Sequence, residues 1–380
     1  MNICRTECST YIETHLAELH DLVKTLCQIP APSGLERARA EFCCQWLERH
    51  GVKGVCLDAA DNAILALNAY GQQKLTVFTA HTDTVFSDTT PFLPEEESGI
   101  LRCPGVYDDT ANLAVLLMAA RFLAEHDVQP ADGMLIVADS GEEGLGNLRG
   151  CRRLLKDYQG RIARLISFDL TYDQICAQAV GSSRYRVTVG GEGGHSFFDF
   201  GCQSAIDGLA QLISALYAVP IPQDSNGSKT TYNVGIIEGG TSINTIAQQA
   251  SMLYEYRSDS VSCLVEMERS FHAVLTEARN RGWKVNAELL GTRPCANNLD
   301  ADCQRALIET CSQIIDTHTG SVPAVVSGST DCNIPLSMGI PAVSFGLCSG
   351  KGAHTRKEQL ETASLKTGLG IALDVMLHFC

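Results

Sequence analysis

Two kinds of hydrophobic pattern divide the chain. Leu75-Thr76-Val77-Phe78-Thr79-Ala80 runs into His81, and Met134-Leu135-Ile136-Val137-Ala138 runs into Asp139. Leu165-Ile166-Ser167-Phe168 ends at Asp169, and Pro341-Ala342-Val343-Ser344-Phe345-Gly346 precedes a loop holding His354. Apolar runs without polar alternation suit strands covered on both faces, in a largely parallel sheet. Between them, residues 11–28, 35–50 and 110–126 carry helical spacing. In the last, Leu113, Leu116, Leu117, Ala120 and Leu123 share one face. Ser33, with Glu36 three residues on, reads as the N-cap and capping box of the second helix. Alternating strands and helices predict an α/β main domain.

A second rhythm begins near Ser182. Tyr185, Val187 and Val189 alternate with Arg186 and Thr188, the mark of a half-buried strand. Helical spacing follows over 203–217, then strands over 231–238 and 249–257, a helix over 261–281 and a strand over 283–290. The order β-α-β-β-α-β is that of the ferredoxin-like unit. The predicted organisation is a main domain of residues 1–181 and 292–380, with residues 182–291 inserted.

Composition narrows the picture. Of 380 residues, 45% are hydrophobic and 19% charged, which is ample for a core. The formal charge of −15 repels phosphate backbones and argues against a nucleic-acid partner. No apolar stretch is long enough to span a membrane, and the start lacks a basic segment followed by an unbroken apolar one. The 17 cysteines show no metal-cage spacing and read as free thiols. The expected setting is the reducing cytoplasm.

The chemistry lies in where acids and histidines fall. His81 and Asp83, Glu142 and Glu143, and Asp169 each follow a predicted parallel strand, where α/β sheets bind ligands. Asp108 and Asp109 precede a helix, and His354 follows the last strand. Alone, an Asp-Asp before a helix is a cap and a Glu-Glu pair a solvated surface. Together, two imidazoles and three or more carboxylates at one edge suit two divalent ions, with zinc favoured. Two Zn²⁺ and three carboxylates leave one positive charge, which a hydroxide bridging the ions would neutralise. A further carboxylate would then act as general base.

His81-Thr82-Asp83, Gly105-Val106-Tyr107-Asp108-Asp109, Glu142-Glu143-Gly144, Phe168-Asp169 and Gly352-Ala353-His354 resemble the zinc-binding motifs of one metallopeptidase family. That family includes peptidase T, carboxypeptidase G, aminoacylases and succinyl-diaminopimelate desuccinylase. The resemblance covers nearly the whole chain. It implies a zinc-peptidase-like catalytic domain and an inserted lid that closes over substrate and also serves dimerisation. It implies that Asp108 bridges two Zn²⁺, which Co²⁺ or Mn²⁺ replaces. His81 and Asp169 would complete one position, and Glu143 and His354 the other. Glu142 would be the general base, and Asp83 would fix the His81 ring. A cis peptide is expected between Asp108 and Asp109. In the inserted domain, Gly193-Gly194-His195-Ser196 resembles a segment whose histidine stabilises an oxyanion, in some members across a dimer. Asn244 and Arg257 resemble substrate-reaching residues. Gly-Gly-His also suits a plain turn, and Arg257 a salt bridge on the sheet surface.

In that family, an Asp at position 169 is commoner among peptidases than deacylases. The expected activity is therefore exopeptidase cleavage of small peptides, with N-acyl-amino-acid deacylation as the alternative. A catalytically dead binding protein of this fold would lack a ligand or the base, yet all are present. A nucleotide-dependent α/β enzyme would carry a phosphate-binding glycine motif, and none follows the first strands.

Overall fold

The structure, a computed structural model, describes residues 5–225 and 227–380. Residues 1–4, part of the start read above for a leader, lie outside the described residues, as does Asn226. The chain divides into two compact units. One comprises the chain up to Ala179 and from Asn297 to Cys380, and the other runs from Val180 to Ala296.

The first unit is built on an eight-stranded sheet among the described residues. Its order is Cys56–Leu57, Ala63–Leu67, Gly133–Asp139, Leu75–His81, Ile162–Phe168, Ala342–Phe345, Gln174–Ala179 and Ala324–Gly328. Leu75–His81 pairs parallel with strands on both sides, and Ala342–Phe345 extends the parallel centre. Antiparallel pairings join Ala63–Leu67 to Gly133–Asp139, and Ala342–Phe345 to Gln174–Ala179. The unbroken apolar runs have the burial they imply, since every residue of Leu75–His81 and Gly133–Asp139 is buried. Each of these strands ends in a polar residue at the same edge, so the sheet core delivers His81 and the Glu142–Glu143 loop together.

The helix Ala111–Glu125 is buried on nearly all sides, not on the single face its leucines suggest. It packs against Arg5–Cys27 and Ser364–His378, which cover its outer side. On this helix the guanidinium of Arg121 pairs with Glu18 and Glu125.

The capping box expected at Ser33 does not form. The helix starts at Arg37 with Glu36 as N-cap and no side-chain cap bond. Ser33 Oγ instead donates to Asp83 Oδ2 at 2.6 Å, and Glu36 Oε1 accepts from Gly34 N. A buried carboxylate is a stronger acceptor than a helix end is a donor, so the hydroxyl turns to the site.

The second unit is a four-stranded antiparallel sheet in the order Thr230–Gly239, Gln249–Ser258, Gly181–Gly190 and Lys284–Arg293. With the helices Ala205–Tyr217 and Val261–Asn280 between strands, this is the ferredoxin-like order. Gln249–Ser258 alternates strictly, with Met252, Tyr254 and Tyr256 buried together with Leu209, Leu212, Met267 and Phe271.

Candidate metal centre

Asp108 is the middle of the site. It sits in a kinked turn, Val106–Thr110, with non-helical backbone just before the buried helix, and its peptide bond to Asp109 is cis. Its Oδ1 lies 3.3 Å from His81 Nε2, and its Oδ2 lies 3.1 Å from His354 Nε2. Asp169 Oδ1 stands 3.9 Å from the same His81 nitrogen, and Glu143 Oε1 stands 3.1 Å from the same His354 nitrogen. His81, Asp108 and Asp169 thus form one triad of ligand atoms and Asp108, Glu143 and His354 another, each within 4.8 Å. Glu142 joins His81 and Glu143 in a third such grouping.

Two carboxylate oxygens test whether metal fits. Asp169 Oδ1 is buried without a hydrogen-bond donor, and buried Glu143 Oε1 has only His354 Nε2 beside it, at 3.1 Å. Each belongs to a different triad. A buried carboxylate oxygen without a donor is costly, and a divalent cation in each triad removes that cost. The donor set of imidazole and carboxylate suits zinc or a similar borderline ion.

The hydrogen bonds around the ligands fix their orientation. His81 Nδ1 lies 3.0 Å from the backbone oxygen of Asp83, which can only accept, so Nδ1 carries a proton and Nε2 is the atom that would meet a metal. Asp83 is thus beside the ring it was expected to fix, and its carboxylate Oδ1 also stands 3.5 Å from Nδ1. Its oxygens accept the backbone N–H groups of Glu142 and Glu143, both at 2.9 Å, besides the Ser33 hydroxyl. Asp83 therefore holds the Glu142–Glu143 loop with its side chain and the His81 ring with its backbone.

Asn112 and Glu358, which the sequence pattern does not mark, prove central, as does Asp109, which it marks without a role. Asn112 Nδ2 donates to Asp109 Oδ1 at 2.6 Å, to Tyr107 O and to Leu170 O, and its Oδ1 accepts from Leu347 N. It joins the loops after three elements. Asp109 accepts the His81 backbone N–H at 2.8 Å. Glu358 is fully buried, and its carboxylate accepts from the backbone N–H groups of Gly105, Tyr107 and Asp108. The available signal was only a Glu four residues after His354, in a segment of Lys and Arg that reads as solvated surface.

Electrostatics follow from this crowding. Burial pushes the Glu143 carboxyl up to about 7, against the pull of His354. Burial likewise holds Asp169 well above the ordinary carboxyl range, with Asp108 adding to it. Burial would raise Asp108 too, but His354 and His81 outweigh it and keep it ionised. Contact with Asp108 and Glu143 raises His354 to about 11. The cluster holds protons where it would hold metal.

The three predicted substrate-contacting residues lie in the second unit. His195 and Asn244 come together: Gly194 and His195 pair with Thr245 and Ile246, and Ser196 N donates to Asn244 O. His195 Nδ1 accepts the N–H of Phe197 at 3.2 Å, which leaves Nε2 to carry the proton outward. Arg257 is not with them. It sits near the far end of Gln249–Ser258, eight residues from Gln249, or roughly 26 Å of strand. Its Nε donates to Glu255 Oε1 at 3.0 Å and its Nη2 to Glu255 Oε2 at 3.2 Å.

The family model for peptidase family M20/M25/M40 matches residues 77–378, which include every candidate metal ligand and Glu142. The chain belongs to that family. It is a metal-dependent hydrolase acting on amide bonds. Among its relatives, a succinyl-diaminopimelate desuccinylase of Corynebacterium glutamicum is 26% identical over 346 residues, covering 89% of this chain and 90% of that one. A di-peptidase of Saccharomyces cerevisiae has the same fold, with a TM-score of 0.77, 14% identity and 98% of each chain covered. A dinuclear metal-binding peptidase of the family from Bacillus subtilis aligns with a TM-score of 0.64 and 15% identity, over 97% of this chain and all of that one. Among the described residues no helix is long and apolar enough to cross a membrane.

Proposed function

We propose that this protein is an exopeptidase acting on small peptides, of the di-/tripeptidase or carboxypeptidase kind, with two Zn²⁺ per chain. One observation carries the reading: the two oxygens of Asp108 face different histidines, at 3.3 and 3.1 Å. His81, Asp108 and Asp169 would hold one ion, and Asp108, Glu143 and His354 the other, with Co²⁺ or Mn²⁺ able to replace zinc. Bound there, the ions would supply Lewis acidity to the scissile carbonyl and acidify water. Glu142, a carboxylate beside the ligands, takes the proton of the attacking water and returns it to the leaving nitrogen. Its backbone N–H is held by the Asp83 carboxylate, which places the base beside the ligands. His195, with its Nε2 proton, and Asn244 serve as substrate donors, and Arg257 is a separate substrate contact once Glu255 releases its guanidinium.

A second reading is favoured by the desuccinylase relative, namely deacylation of N-acyl amino acids. Hydrolysis of a panel of dipeptides, tripeptides and N-acyl amino acids, with zinc, cobalt or manganese and with chelator, decides between the two. Faster turnover of peptides supports the first reading, and turnover confined to N-acyl amino acids replaces it with the second. A homodimer through the second unit belongs to the same reading. It is supported by the edge strand Thr230–Gly239 with Ile236 and Ile237 exposed, and sedimentation tests it. The cysteines among the described residues are all free, which supports a cytoplasmic setting.

A further inference from the structure

His354 differs from the other candidate ligands. Its side chain is 56% exposed, whereas those of His81, Asp108, Glu143 and Asp169 are 1–7% exposed. It stands in a loop, with φ of +62° where side-chain-bearing residues are uncommon. Packing that fixes the buried ligands does not fix this one, so its orientation has to come from its neighbours in the loop.

Two residues further on, Arg356 is pinned from two directions. Its Nη2 donates to Asp88 Oδ2 at 2.6 Å. Its guanidinium carbon lies 5.0 Å from the centroid of the Phe86 ring and 5.4 Å from that of Phe92. The two rings meet edge to face, 5.9 Å apart at 83°. Phe86 and Asp88 follow Asp83 closely in the chain, so they belong to the segment that leaves the His81 half of the site. On its other side the loop is held by Glu358, through the backbone of Gly105, Tyr107 and Asp108.

We propose that Arg356 is a positioning residue: clamped against Phe86, Phe92 and Asp88, it holds the loop so that the His354 imidazole meets Asp108 and Glu143. An exposed ion pair alone contributes little. A planar guanidinium does more, because it stacks on a ring with its face while donating from its edge, which a lysine cannot do. The proposal rests on the two-metal reading above. Loss of groups that orient a metal ligand typically weakens metal affinity by about 10–100-fold.

The test is titration of the metal-free, full-length protein with Co²⁺, followed by visible absorption, for the wild type and for Arg356→Met, Arg356→Lys and Asp88→Asn. Arg356→Met is expected to weaken one of two Co²⁺ equilibria by at least about 10-fold and to leave the other nearly unchanged. The melting temperature of the metal-free protein should barely move, since the side chain is exposed. Arg356→Lys and Asp88→Asn should fall between. Unchanged Co²⁺ binding in Arg356→Met overturns the proposal, and a raised KM in that case would make Arg356 a substrate contact. Equal loss at both equilibria together with a lowered melting temperature also overturns it, because the clamp would then support the fold and not one ligand. If the wild type itself takes up fewer than two Co²⁺, the two-metal reading fails and the proposal with it.

Discussion

Glu142 donates its backbone N–H to Asp83 Oδ1 at 2.9 Å. The bond places the proposed base through its main chain, from a residue on a different strand end. Asp83→Asn presents an amide NH₂ to donors that need an acceptor, so at least one buried N–H is orphaned. The expected outcome is a fall in kcat of about 10²-fold with metal affinity weakened by about 10–100-fold. Steady-state rates and zinc titration of the variant check this, and wild-type values for both would show that Asp83 positions nothing.

The adjacent glutamates should separate cleanly. Glu142→Gln keeps size and most hydrogen bonding but removes the proton acceptor, so metal content should stay near normal while kcat falls by about 10²–10⁴. Glu143→Gln weakens one triad directly and should lose metal along with rate. Zinc content measured beside kcat for both variants distinguishes them. If the first variant sheds metal and the second keeps it, the two roles are exchanged.

The sheet was legible because its strands are buried on both faces, and that burial leaves an unbroken apolar run ending in His81, Asp139 or Asp169. The second unit was legible for the opposite reason, strict alternation in segments such as Gln249–Ser258. The candidate ligands were legible because strand ends converge in space. What escaped was the layer behind them. Asn112 lies in a helix whose leucines dominate the pattern, and nothing local shows that its amide reaches Asp109, Leu170 and Leu347. Ser33 was misread because capping is a local rule, while its hydroxyl answers to Asp83, fifty residues away.

Asn112 fills four hydrogen-bonding roles inside the core, and replacing it strands several of them at once. Asn112→Ala leaves Asp109 Oδ1 without its 2.6 Å donor and Leu347 N without its acceptor. Each buried group so orphaned costs about 1–3 kcal/mol. Denaturant unfolding of the metal-free protein should therefore show a loss of about 2–5 kcal/mol, and a loss below about 0.5 kcal/mol would contradict the assigned role.

Metal binding should release protons. Without metal, His354 keeps its proton up to about 11, and Glu143 titrates at about 7. Metal must displace these protons, so apparent affinity rises with pH, by up to about tenfold per pH unit for each proton released. Calorimetry at pH 6.5 and 7.5, in buffers of different ionisation heat, counts the protons. Affinity independent of pH, with no protons released, would contradict the assignment of His354 and Glu143.

The bridging role of Asp108 is tested most directly by counting metal. Elemental analysis of wild type and Asp108→Asn, each dialysed to equilibrium against the same free zinc, gives ions per chain. Two ions in the wild type and at most one in the variant are the expected result, because both triads share Asp108 and the amide offers only one oxygen. A wild type that saturates at one ion, or a variant that retains two, would contradict it.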